Sequence, residues 1–248
     1  MNLRSLIAAA LFIGTVTVPV SGLHAQSFRL NDILNGGKSS GTGGSSSLSG
    51  SEIASGLKEA LTVGAQNASN KLSATNGFFG NPLVKIMLPE EVRRVESSLR
   101  SIGMGSLVDD AILKLNRAAE DASRQAAPIF VNAITSMSIT DAVGILRGAD
   151  NAATQYLQRT TTTALTSAFR PTINNSLNKV GAVNAWNKVF TAYNRLPMIQ
   201  KVDPDLTGYV TSRALNGLFT TIAQEEAKIR KDPAAQVTNL LKKVFGNK

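Results

Sequence analysis

The chain has 248 residues and a formal net charge of +9, with 43% apolar residues, only 5% aromatic residues, no cysteine and a single histidine, His24. If that histidine leaves with an N-terminal leader, thiol nucleophiles, Ser-His triads and zinc or haem held by His or Cys are excluded. Carboxylate, Lys, Arg, Ser/Thr and Tyr chemistry remain, or no chemistry at all. Without disulfides the fold has to rest on burial, and plentiful alanine with few aromatics points to closely packed helices.

In chain order, residues 1–25 read as a signal peptide. Arg4 supplies the positive start, Leu6 to Val18 a short apolar run, and Pro19 and Gly22 break it before a cut after Ala25. The run is shorter than the ~20 apolar residues a membrane span needs, and no later stretch is longer. A periplasmic or secreted protein is expected, with no transmembrane span in the mature chain. Residues 26–47 form a Gly/Ser-rich flexible linker by composition, in which Phe28, Leu30, Ile33 and Leu34 suit one short helix. Gly36-Gly37-Lys38-Ser39 has a superficial likeness to a phosphate-binding loop, but lacks the full glycine spacing and a preceding strand.

From residue 48 to 248 the punctuation is that of one all-α domain of about eight helices. Ser49 and Glu52 form a capping box, and Ile53, Leu57, Leu61, Ala65, Ala68 and Leu72 follow at helical spacing. Asn76-Gly77 turns the chain, and the apolar run at 82–88 is the one segment that reads as extended. Pro89 with Glu90 and Glu91 opens a helix that Gly103 ends. A long helix is expected from Leu107 to Met137 with a kink or break at Pro128. Ser138 and Asp141 begin a short helix closed by Gly148, and Asp150 is expected to cap the next one. That helix is interrupted by Pro171 and ended by Gly181. Helices around Val183 to Arg195, Asp205 to Arg230 and Pro233 to Phe245 complete the chain, which has no internal repeat.

Three constellations are candidates for function. On a helical wheel Arg117, Glu120, Asp121 and Arg124 lie opposite Ile112, Leu115, Ala119, Ala122, Ala126 and Phe130. They make either a solvated face with Arg117–Asp121 and Glu120–Arg124 pairs, or a polar cluster covered by a second layer and able to hold a ligand. Glu225 and Glu226 sit on a helix apolar nearly all round. Glu225 falls between Leu218, Thr221 and Ile229, while Glu226 suits an ion pair with Arg230. Between Asp150 and Asp203 there is no acid, while Arg159, Arg170, Lys179, Lys188, Arg195 and Lys201 are all basic. Tyr156, Phe169, Trp186, Phe190 and Tyr193 interleave with these cations and are either stacking platforms or core residues. No metal site and no cofactor are expected.

Gly56-Leu57-Lys58-Glu59-Ala60-Leu61, Gly77-Phe78-Phe79-Gly80-Asn81-Pro82, Asn116-Arg117-Ala118-Ala119-Glu120 and Ile139-Thr140-Asp141-Ala142 occur in that order. They are followed by Ala152-Ala153-Thr154, Asp205-Leu206 with Tyr209-Val210, Gly217-Leu218-Phe219 and Leu241-Lys242-Lys243-Val244-Phe245-Gly246. Together these resemble the bacterial exported family catalogued as domain of unknown function 4197, over roughly Leu48 to Gly246. The family pattern favours a basic residue where this chain has Gln236, which weakens an anion-binding role there. The resemblance implies a secreted helical protein of unassigned activity and brings no catalytic residue with it.

The leading expectation is a non-enzymatic cell-envelope protein in a Gram-negative-type periplasm. It would bind anionic lipid, lipopolysaccharide or acidic glycan through Arg117, Arg159, Arg170, Lys179, Lys188 and Arg195. Secretion argues against nucleic acid. The alternatives are a carboxylate-dependent hydrolase of cell-wall glycan with Glu225 or Glu120 as the acid, and a lipid carrier with alanine-lined helices. Facing carboxylates in a cleft would favour the hydrolase and an enclosed apolar cavity the carrier.

Overall fold

The computed structural model describes residues 49–193, 201, 205–231 and 242, with backbone alone at Arg94, Val95, Ser98 and 188–193. The expected signal peptide, the linker and, apart from helical Lys242, the closing helix from Pro233 lie outside the described residues. The described residues form eight α-helices and no strand.

Helix α1 (Gly50–Ser73) starts at the capping box: the Glu52 N–H donates to Ser49 Oγ at 3.2 Å, and the Ser49 N–H donates to Glu52 Oε2 at 2.9 Å. Its apolar stripe, with Leu57, Leu61, Ala65, Ala68 and Leu72, is buried. Asn76, at a φ of 67°, turns the chain, and Phe78 drives fully into the core. A single 3₁₀ turn (Glu90–Val92) leads into α2 (Arg93–Ser101), which ends at Gly103 with a φ of 82°.

The expected Leu107–Met137 helix is two helices, α3 (Gly105–Ser123) and α4 (Ala126–Thr135). The break falls at Arg124–Gln125, ahead of the proline. Pro128 sits in the first turn of α4, where a missing N–H costs nothing. A second capping box, Ser138 with Asp141, opens α5 (Ile139–Arg147). Helix α6 (Ala152–Lys179) runs through Pro171 without interruption, contrary to expectation. Phe169 and Ile173, on either side of the proline, are fully buried with Leu165 and Leu177, so packing outweighs the lost hydrogen bond. Helix α7 (Ala182–Tyr193) and α8 (Leu206–Lys231) follow.

Helix α6 packs between α3 and α8, and α1 lies against α8, α4, α5 and α3. One core joins them, in which Phe78, Phe130, Phe169 and nine Leu or Ile side chains are almost wholly buried, each worth about 1.5–3 kcal/mol relative to exposure.

The run at 82–88 turns at residues 82–84 and continues through 85–89 without a strand partner. Its backbone is satisfied from helices instead. Asn116 on α3 accepts from the Ile86 N–H at 2.8 Å and donates Nδ2 to the Ile86 carbonyl at 2.8 Å. One amide can serve both groups only if they point the same way, as they do in an extended residue. The segment is thus extended at Ile86, with a side chain in the place of a neighbouring strand.

Candidate functional site

In the α3 cluster Glu120 is covered, Arg117 is half-exposed, and Asp121 and Arg124 are solvated. Glu120 is buried, and its Oε1 accepts the N–H groups of Phe78 and Phe79 at 3.1 and 3.2 Å. Its Oε2 takes Arg117 Nη1 at 2.5 Å, and Arg117 also reaches Asn76 Oδ1 at 2.9 Å. The ion pairs are therefore Arg117–Glu120 and Arg124–Asp121 (3.6 Å), not the i,i+4 pairs expected. The turn at 76–79 supplies two backbone donors that draw Glu120 under cover, and this rearranges its neighbours. A cleft of about 410 Å³ beside it is lined by Lys114, Arg117, Asp121, Arg124 and Ser176.

On α8, Glu225 is half-buried and accepts Lys228 Nζ at 2.7 Å. Glu226 is the deeply buried one. It pairs with Arg230 at 2.8 Å, as expected, and also accepts the N–H groups of Ala153 and Thr154 at 3.1 and 2.9 Å. These are orphan donors at the start of α6, so Glu226 performs the capping expected of Asp150, which instead pairs with Lys231 at 3.4 Å. The spacing holds a signal for this role: Leu215, Phe219, Ile222 and Ile229 form a buried stripe, and Glu226 occupies its i+4 place after Ile222.

Among the described cations of the acid-free stretch, Arg159 and Arg170 lie about three turns apart on one side of α6, and Lys179 faces the other way. Arg159 lies over the Tyr156 ring at 5.7 Å, and Lys179 is exposed at the far end of α6, about 30 Å away along the axis. Arg170 pairs with Asp205 at 2.6 Å. The Lys188 side chain and Arg195 lie outside the described residues. Tyr156 and Phe169 are core residues.

Around Arg170 the chain forms a cleft of about 1010 Å³ between α6, α7 and the start of α8. Thr166, Arg170 and Asn174, at i, i+4 and i+8, make one wall, while Asn187 and Thr207 stand on the others. Pro171 has no N–H to give the Ser167 carbonyl, and both residues line the cleft. Asp205 is the single carboxylate among the described lining residues. Burial pushes its pKa up, but the Gly208 N–H at 2.8 Å and the Arg170 guanidinium more than offset this and hold it below the ordinary range. The arrangement presents a guanidinium, amides and hydroxyls, with its acid already engaged. It is equipped to hydrogen-bond a polar ligand rather than to transfer a proton.

Among the described residues no three carboxylates cluster closely enough for a metal ion. No single described helix is long and apolar enough to cross a membrane, and α4 and α5 reach that length only as a pair bent by 105°. Residues 47–246 match the family model described as a protein of unknown function, DUF4197. No curated protein and no solved structure matches the chain.

Proposed function

The chain belongs to the DUF4197 family, and from its geometry we propose a non-enzymatic binding protein of the bacterial cell envelope. In this reading it is exported by the leader at residues 1–25 and holds an anionic, hydroxyl-rich glycan such as the carbohydrate of lipopolysaccharide. The observation that carries the reading is the cleft around Arg170. Hydroxyl-rich ligands need many directional donors and acceptors, and Thr166, Ser167, Asn174, Asn187 and Thr207 supply them beside the Arg170–Asp205 pair, whose guanidinium keeps further N–H donors.

The engagement of the acids supports a non-catalytic role. A general acid has to reach the substrate with its own proton, whereas Glu120 and Glu226 bind backbone N–H groups and Arg, and Glu225 is tied to Lys228. The cleft opens to solvent, which suits a polar chain better than the enclosed cargo of a lipid carrier.

The test is a titration with lipopolysaccharide at low and high salt. Binding is expected to weaken with salt and to fall about tenfold in the double variant Ser167→Glu, Asn187→Glu, whose positions are exposed and whose fold should be intact. Binding indifferent to both salt and the variant would rule the reading out.

A further inference from the structure

On the other side of α8 from Arg170, residues 83–88 and the α8 residues Tyr209, Arg213, Asn216 and Thr220 enclose a second groove of about 250 Å³. It shares no lining residue with the cleft described above. Because Ile86 is extended and turns both its backbone groups to Asn116, the next residue presents its backbone to the opposite side. The structure bears this out: the Met87 carbonyl accepts the Tyr209 hydroxyl at 2.8 Å. The Met87 N–H points the same way and has no hydrogen-bond partner among the described residues.

The surroundings add three features. Leu83 and Met87 are exposed apolar side chains, at 71% and 47% of their full surface. Arg213 lies over the Tyr209 ring at 5.3 Å and Lys85 over the Phe79 ring at 4.1 Å, and neither has a carboxylate partner among the described residues. The groove therefore combines one free backbone N–H, at Met87, with apolar contacts and two cations that have no ion-pair partner among the described residues.

We propose that this groove takes an extended acidic peptide of a partner protein, which adds as a strand along Met87 and sets a carboxylate against Arg213 and Lys85. On this edge the Lys85 N–H already donates to the Asn81 carbonyl at 2.9 Å and Pro89 has no N–H, so an added strand pairs at Met87 alone and depends on the side-chain contacts around it. The Met87 carbonyl retains a second lone pair, so it can accept from the added strand alongside Tyr209. The charge selects the partner, because within this groove the lining cations Lys85, Arg93 and Arg213 outnumber the one lining acid, Glu90, which is already paired with Arg93 at 2.7 Å. Glu91 and Asp205 approach Arg213 from the adjoining pocket.

The probe is a short fluorescein-labelled peptide alternating Val and Glu, compared with its Val and Lys twin, on the full chain. The Glu peptide is expected to bind about tenfold tighter than the twin. Met87→Pro removes the free N–H while suiting an extended Ile86, and should weaken binding about tenfold, whereas Met87→Ala keeps it. If Met87→Pro disturbs the fold, Arg213→Ala at an exposed position gives the same reading by an equal loss. The proposal is overturned if the Glu peptide does not bind, if the twins bind alike, or if neither Met87→Pro nor Arg213→Ala weakens binding. It is equally overturned if the groove residues instead mediate uptake on phosphatidylglycerol vesicles, or pairing with a second copy of this chain.

Discussion

Glu226 on α8 holds the start of α6 through Thr154, although 72 residues separate them. Its Oε2 accepts both the Thr154 N–H at 2.9 Å and the Thr154 hydroxyl at 2.7 Å, while Oε1 accepts the Ala153 N–H and Arg230. The two central helices are thus joined end to side by one buried carboxylate that serves as N-cap, dipole partner and counter-ion at once.

Removing that carboxylate should be costly. Glu226→Ala leaves Arg230, whose side chain is 7% exposed, without its counter-ion, and orphans two backbone donors. A loss of about 3–5 kcal/mol is expected, or a fall of roughly 10 °C in Tm, measured by thermal unfolding followed by circular dichroism. Glu226→Gln should cost less because it can still accept from the α6 backbone. Equal losses would mean that the negative charge, which both variants lack, carries the whole effect and that the retained acceptor contributes nothing.

Asn116 makes a parallel prediction for the extended segment. Asn116→Leu fills similar space but deprives the buried Ile86 N–H and carbonyl of partners, at a cost of about 2–3 kcal/mol. Hydrogen exchange at the Ile86 amide should accelerate. An unchanged rate there would show that another group takes over the bond.

Two helical glycines should respond to alanine with opposite signs. A Cβ at Gly217 would stand 2.6 Å from Cε1 of Phe78, a ring already fully buried, so Gly217→Ala is expected to destabilise by about 1–3 kcal/mol. A Cβ at Gly144 meets nothing within 4 Å, so Gly144→Ala should stabilise α5 by about 0.5–1 kcal/mol. Urea unfolding of the two variants separates packing from propensity.

Acid should weaken the fold through Asp205 and Asp141. Burial raises the Asp205 pKa, but the Gly208 N–H and Arg170 pull it below the ordinary aspartate value of about 3.9. The Ser138 hydroxyl and then its backbone N–H do the same for Asp141. A carboxyl with a lower pKa folded than unfolded adds stability above its unfolded value and loses it as pH falls through its folded value. Stability should therefore hold level down to about pH 5 and decline below about pH 4. The decline should be shallower in Asp205→Asn, as followed by urea unfolding across that range.

The local devices were legible in the sequence. Both capping boxes use residues three apart, and Pro89 and Gly103 mark the helix they bound. What escaped was set by distant contacts. Pro171 argues locally for an interruption, but the burial of Phe169 and Ile173 overrides it. A wheel drew attention to Glu225 because α8 is apolar on most sides, and only the position of α6 decides that Glu226 is the buried partner. The sequence leaves Glu120 open between a solvated and a covered place, because nothing on α3 foretells that the turn carrying Phe78 and Phe79 will cover it. Among the candidate cations, Arg170 gained its cleft from α7 and from Asp205, which lies beyond the acid-free stretch.

The most direct test of the account is hydrogen exchange with and without lipopolysaccharide, read peptide by peptide by mass spectrometry. The account predicts slower exchange at residues 166–174 on α6 and 182–187 on α7, reversed by high salt, with α1 unchanged. Exchange unaltered along both stretches while lipopolysaccharide is bound would contradict it, because the ligand would then lie away from the cleft around Arg170.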